Sequence, residues 1–262
     1  MLDPSRDLCR LEPRVVNVFA IPVPASAHPS FAALVSPAEL GRAQRFKSGA
    51  RADLYLVGHA LLRAAIGGYL NLPPLEIAFS RGPNGKPFIQ GQNLQFSYSS
   101  SVGWVMIGCA LTVEIGVDVE RFIEYPEALL IAKSFFASSE RAQLELLSEP
   151  ALSRAFVSCW TRKEAYRKAV GDGLFGSLSD FEVSVDQQTR EVIRRSLMVN
   201  GTGNSNTWSL YDVAPSQDCA GSLVVAACNW SVRRWQLESA AAALSLFTSM
   251  QTSPNVVGFA KQ

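Results

Sequence analysis

Short apolar runs of strand length alternate along this chain with longer stretches in which apolar residues recur every third or fourth position. The two periods predict different elements. Residues 15–23 read as a first strand, closed by Pro22 and Pro24. Residues 25–30 form a loop of Pro, Ser and Ala. Ser36-Pro37-Ala38-Glu39 predicts a helix start, with Ser36 as N-cap, Pro37 in the first turn and Glu39 completing a capping box. Residues 53–69 predict a second helix, apolar at Leu54, Val57, Leu61, Leu62, Ala65 and Ile66. A strand is expected to begin at 77–79, with further strands at 94–98, 104–111 and 116–119 and a tight turn at Pro83-Asn84-Gly85-Lys86-Pro87. The second half repeats this order loosely. Helices are expected at 127–136, 138–147 and 152–170, the last stopped by Gly171 and Gly173. Strands follow at 181–185, 191–198, 207–213 and 223–228. Residues 240–247 predict a helix, and 253–262 a frayed end with little chemistry.

This pattern predicts a mixed α+β fold. With 262 residues the chain can bury one large or two small cores. The boundaries expected are an N-terminal half over 1–120, a C-terminal half over 121–230 and an extension over 231–262. A net charge of +1 argues against a broad polyanion-binding surface, so no nucleic-acid partner is expected. Charges interrupt the first twenty residues, and no uncharged apolar stretch reaches membrane-spanning length, so the expectation is a cytoplasmic protein with no membrane contact. Five scattered cysteines without a CxxC pair suggest reduced thiols, not a disulfide frame or a zinc site.

The chemistry concentrates in two short stretches. Gly116-Val117-Asp118-Val119-Glu120 places two carboxylates two residues apart on a strand, so they share a face. In Trp160-Thr161-Arg162-Lys163-Glu164-Ala165-Tyr166-Arg167-Lys168, residues Trp160, Glu164 and Lys168 are four apart and share a helix face. Three carboxylates with an adjacent ammonium suit Mg²⁺ shared with a phosphate-bearing substrate. Taken singly, each piece has a plainer account. Asp118 and Glu120 could be polar positions on an exposed edge strand. Glu164 and Lys168 could be a solvated i,i+4 pair worth about 0.3–0.5 kcal/mol. Trp160 could be core packing, and Lys86, Arg42 and Arg45 solvated cations. His28 and His59 lack partners at metal spacing and read as structural.

Gly-x-Asp-x-Glu followed by Trp-x-x-Lys-Glu-Ala-x-x-Lys resembles the signature of the 4′-phosphopantetheinyl transferases, in particular the larger Sfp-type. Gly58-His59-Ala60-Leu61-Leu62-Arg63, Gly82-Pro83-Asn84-Gly85-Lys86-Pro87, Phe135-Phe136-Ala137-Ser138-Ser139-Glu140 and Gly171-Asp172-Gly173-Leu174 occur in the order that family shows. The resemblance runs from about residue 36 to residue 230. It implies two pseudo-symmetric halves, each a small antiparallel sheet packed with helices, with coenzyme A between them. It implies transfer of the 4′-phosphopantetheine group to a serine of an apo carrier protein, releasing adenosine 3′,5′-bisphosphate, by a monomer. The carrier could serve fatty acid, polyketide or nonribosomal peptide synthesis.

Residue by residue, the resemblance implies Mg²⁺, or Mn²⁺, on Asp118, Glu120 and Glu164. Glu164 would also activate the incoming hydroxyl, with Lys168 polarising the reacting phosphate and Glu140 close to the metal or the serine. Arg42, Arg45, Lys86, Ser99, Ser100, Asp118, Trp160, Lys163 and Lys168 would contact coenzyme A, with Arg42 and Arg45 toward the 3′-phosphate and Lys47 and Arg51 nearby. One departure stands out: Ser100 occupies the position of a histidine that contacts the pyrophosphate in the family, and a hydroxyl carries no charge. Two other readings remain, a non-catalytic module binding coenzyme A or a carrier, and a Mg²⁺-dependent nuclease.

Overall fold

The structure is a computed structural model that describes residues 10–23, 28–101, 103–171, 177–185 and 208–251. The strand expected at 191–198, the frayed end at 253–262 and most of the turn after Gly171 lie outside the described residues.

The expected α+β class holds. The first sheet begins with β1 (Val15–Pro22), followed by helices α1 (Pro29–Ala32), α2 (Pro37–Ala43) and α3 (Gly49–Leu70). Ser36 caps α2 and forms the capping box with Glu39. A two-stranded hairpin of β2 (Ser80–Arg81) and β3 (Pro87–Phe88) precedes β4 (Leu94–Ser101) and β5 (Trp104–Leu111). The second half holds β6 (Ile115–Arg121), α4 (Ala128–Phe135), α5 (Ser138–Leu144), α6 (Ala151–Val170), β7 (Ser209–Asp212) and β8 (Cys219–Val225). The chain returns to the first sheet with β9 (Ser231–Gln236) and α7 (Ala240–Gln251).

The first sheet runs β4-β5-β1-β9 and the second β6-β8-β7. All pairs are antiparallel except β1 with β9, which run parallel from Val15 opposite Ser231 to Ala20 opposite Gln236. The two inner faces pack on each other: Val16, Val18, Met106 and Ala110 meet Ile115, Val117, Val119 and Leu223. Helices α3 and α7 cover the outer face of the first sheet, and α6 that of the second.

Two expectations change. The boundary at residues 120–121 cuts β6, whose partner is β8, so that strand belongs with the second sheet. Residues 231–251 are no appendage. Their strand is the edge of the first sheet, and Phe247 and Met250, both fully buried, join the core on α3.

Two segments with strand-like sequence form no strand. The strand expected to begin at 77–79 starts only at Ser80, as β2, because the Ile77 carbonyl accepts from the Arg63 guanidinium at 2.9 Å. Residues 181–185 leave it because Lys163 Nζ donates to the Phe181 carbonyl and the Val183 N–H donates to Glu140, each at 2.7 Å. In both, buried charged side chains take the backbone groups a neighbouring strand would have used.

Candidate active site

The site lies where β4, the edge of the first sheet, meets β6, the edge of the second. Alternation puts Gly116, Asp118 and Glu120 on the face of β6 that meets α6. Gly116 is required there. A Cβ at this position would stand within 3.0 Å of the Ala165 carbonyl oxygen and the Ala169 nitrogen, so only glycine lets the helix lie directly on the strand. That close packing brings Glu164 and Lys168 beside Asp118 and Glu120.

The carboxylates are held from the other side by a ladder of serines on β4. Ser97 Oγ accepts from the Val117 N–H at 3.0 Å. Ser99 Oγ donates to Asp118 Oδ1 and Ser101 Oγ donates to Glu120 Oε2, each at 2.7 Å. Ser97, Ser99 and Ser101 alternate along the strand and face the same way. They join two sheets that share no ladder hydrogen bonds at this edge.

Lys168 Nζ reaches Asp118 Oδ1 at 2.6 Å, while Asp118 Oδ2 is buried with no hydrogen-bond partner among the described residues. Burial pushes the Glu120 carboxyl up from its ordinary value, and the charge on Asp118 adds to the push. Burial likewise raises Glu164, opposed by Arg167, whose guanidinium lies 3.1 Å from Glu164 Oε1. The three carboxylates therefore repel one another at partly dehydrated positions. Among the described residues, no three His, Cys, Asp or Glu side chains converge closely enough to hold an ion in this arrangement.

These residues form one end of a cleft of about 1160 Å³ lined by α3, the β2–β3 hairpin, β4, β6 and α6. Trp160, Glu164, Arg167 and Lys168 enter it from α6, Ser99 and Ser100 from β4, and Lys86 from the hairpin turn. Lys86 forms an ion pair with Glu114 and donates to the Ala169 carbonyl at 2.7 Å, tying the hairpin to the end of α6. The far wall carries stacked rings, Tyr55 on His59 at 3.9 Å and His59 against Tyr98 at 5.3 Å. Gly58 makes room for Tyr98, whose Cζ lies 2.8 Å from where a Cβ would stand. Burial lowers the His59 pKa, and its Nδ1 contacts the Tyr55 carbonyl at 2.9 Å.

Four expected site residues lie elsewhere. Lys163 points into the core, fully buried, with its Nζ 2.8 Å from Glu140 and 2.7 Å from the carbonyls of Leu178 and Phe181. Glu140 is 1% exposed, and its carboxylate accepts from the N–H groups of Ala137 and Val183 as well. Helical geometry turns Lys163 away from the cleft toward the loop at 178–183, where Glu140 from the first turn of α5 meets it. Arg42 lies outside the cleft over the Tyr55 ring, 5.6 Å from its centroid, and Arg45 is exposed on the surface. Sequence reasoning missed Ser97, Ser101 and Arg167. The alternation Ser-x-Ser-x-Ser and the spacing of Arg167 seven residues after Trp160 were the available signals.

Two family models divide the chain between them. One, described as "4'-phosphopantetheinyl transferase superfamily", matches residues 114–228, and one described as "4'-phosphopantetheinyl transferase, N-terminal" matches residues 24–111. The chain is similar to 4'-phosphopantetheinyl transferase Sfp of Bacillus subtilis, with 32% identity over 159 residues, 60% of this chain and 69% of that one. The chain belongs to the 4′-phosphopantetheinyl transferase superfamily. This transferase is also similar over greater length to 4'-phosphopantetheinyl transferase HetI of Nostoc sp., with 29% identity over 226 residues, 84% of this chain and 91% of that one. Membership leaves the nuclease reading without support. No helix of the transferase, among its described residues, is long and apolar enough to cross a membrane.

Proposed function

We propose that this chain transfers the 4′-phosphopantetheinyl group of coenzyme A to a serine of an apo carrier protein, acting as a monomer. The observation that carries the reading is the β6–α6 junction. Asp118, Glu120 and Glu164, with Lys168, face one large cleft in a chain of this superfamily. The serine oxygen attacks the β-phosphorus of coenzyme A. A new P–O bond forms, the bond to the bridging oxygen of the diphosphate breaks, and adenosine 3′,5′-bisphosphate leaves.

The donor set fits Mg²⁺ or Mn²⁺. Asp118 Oδ2 is an orphaned buried oxygen, and the carboxyls of Glu120 and Glu164 are raised by burial with a further push from Asp118, so a cation among them relieves both costs. Asp118, Glu120 and Glu164 would hold such a cation once their side chains draw closer together than in this arrangement, and it would neutralise charge on the diphosphate. Ser99 and Ser101 keep Asp118 and Glu120 oriented toward the cleft. Lys168 exchanges Asp118 for a phosphate oxygen as the nucleotide enters. Glu164, raised by burial in the direction a general base requires, accepts the serine proton directly or through water. Lys86 closes the hairpin over the nucleotide, and Trp160 braces the acidic end of α6. Most of the acceleration comes from positioning and charge stabilisation.

The reading is tested by following adenosine 3′,5′-bisphosphate release in the presence of coenzyme A, Mg²⁺ and an apo carrier. Release that requires the carrier and disappears in Asp118→Ala supports it. Release without a carrier, or release that survives Asp118→Ala, contradicts it.

A further inference from the structure

We propose that His59 selects the base of the nucleotide, its Nε2 accepting a hydrogen bond from the 6-amino group of adenine. The inference rests on the transferase reading and assigns a specificity-determining residue to its coenzyme A.

On α3, His59 lies one turn after Tyr55, and both line the cleft. The Nδ1 of His59 meets the Tyr55 carbonyl at 2.9 Å. A carbonyl only accepts, so Nδ1 carries the proton. Burial holds the imidazole pKa below its ordinary 6.5, so the ring is neutral near neutral pH. Glu39, whose charge would favour the imidazolium, is itself held by Arg63 at 2.7 Å. Nε2 is therefore an unprotonated acceptor. Nδ1 is turned to the helix backbone, so Nε2 is on the open side of the ring, and among the described residues no group donates to it. The ring stacks on Tyr55 at 3.9 Å and meets the edge of Tyr98 at 5.3 Å. These contacts fix the plane of the imidazole, so the direction of its lone pair is set before a ligand arrives.

The surroundings suit a flat base. Leu62, Phe79 and Phe96 line this part of the cleft with Tyr55 and His59. The diphosphate belongs at the other end, with Lys168 and the carboxylates. Apolar and aromatic walls with one oriented polar group favour a stacked purine over the ribose or the flexible pantetheine arm, which also carry donors but offer no flat face. In the nucleotide, the 6-amino group is the only N–H donor of adenine. A 6-oxo purine places an acceptor oxygen there instead, and two acceptors then face each other unpaired.

The test is titration calorimetry of coenzyme A and of its 6-oxo (hypoxanthine) analogue, with Mg²⁺ present, on the wild type, His59→Phe and His59→Gln. Thermal unfolding serves as the fold control. The wild type should bind the analogue about 10-fold more weakly than coenzyme A. His59→Phe keeps a flat ring and removes the acceptor, so it should bind the two equally. His59→Gln returns an acceptor oxygen and should recover part of the preference. Equal affinities in the wild type overturn the assignment, and that comparison stands whether or not the variants fold. A preference that survives intact in folded His59→Phe moves base selection to another residue and also overturns it. Should the wild type bind neither nucleotide, the transferase reading itself fails, a result distinct from a missing preference.

Discussion

Lys163 provides a sharp trial of the site's boundaries, because the sequence signature and the packing assign it opposite roles. In the structure its ammonium is fully buried, paired with Glu140 at 2.8 Å and bonded to two carbonyls at 2.7 Å. It also lies over the Phe181 ring at 4.4 Å. Lys163→Met keeps the aliphatic length and removes the charge. Glu140 then stays buried with two N–H donors but no cation, and the carbonyls of Leu178 and Phe181 lose their donor. Breaking a buried pair by removing one partner costs about 3–5 kcal/mol. For a chain of this size each kcal/mol lowers Tm by roughly 2–4 °C, so the expected drop is roughly 6–20 °C. The double variant Lys163→Met with Glu140→Gln should recover part of this, since the stranded charge is gone. Calorimetry measures Tm, and coenzyme A titration below the transition measures binding. A variant with wild-type Tm and weakened coenzyme A binding would refute the reasoning and return Lys163 to the phosphate pocket.

Further outcomes follow from the same contacts. Gly116→Ala forces α6 away from β6, an overpacking cost of about 1–3 kcal/mol, and should lower transfer on the order of 100-fold by separating Glu164 from Asp118; rates and Tm measured together check it. Ser101→Ala and Ser99→Ala should each weaken the response of Tm to added Mg²⁺, with Ser101→Thr restoring it, as seen by thermal shift across a Mg²⁺ series. The Glu120 carboxyl is raised in the folded state above its ordinary 4.5, so its contribution to stability is complete below that value and is lost as pH rises through the raised one. Glu120→Gln should therefore raise Tm near neutral pH without divalent cations and leave it little changed in acid, while abolishing transfer; unfolding curves across pH check the sign.

The elements nearest the chemistry were legible because both periods are clean there. Asp118 and Glu120 alternate within an apolar strand, and Glu164 and Lys168 recur every four residues on a helix capped by Gly171. Neighbours placed by long-range packing were not. The motif lysine beside Glu164 could only be assigned by finding Glu140 and the loop at 178–183 around it. Residues 231–236 gave no clear strand signal because Arg233, Arg234 and Gln236 dominate an edge strand, and its parallel partner lies more than two hundred residues earlier. The strand expected to begin at 77–79 and the one expected at 181–185 had the right side chains, yet Arg63, Lys163 and Glu140 had taken their backbone groups. Buried charge overrode strand propensity in each case.

Group transfer should depend on the β6–α6 carboxylates. The most direct measurement is intact-mass spectrometry of an apo acyl carrier protein incubated with this chain, coenzyme A and Mg²⁺. The carrier should gain one phosphopantetheinyl group, a gain absent with EDTA and absent with Asp118→Ala. An unmodified carrier across fatty acid, polyketide and peptide types, with coenzyme A still bound to the folded wild type, would contradict it and leave a nucleotide-binding module in its place.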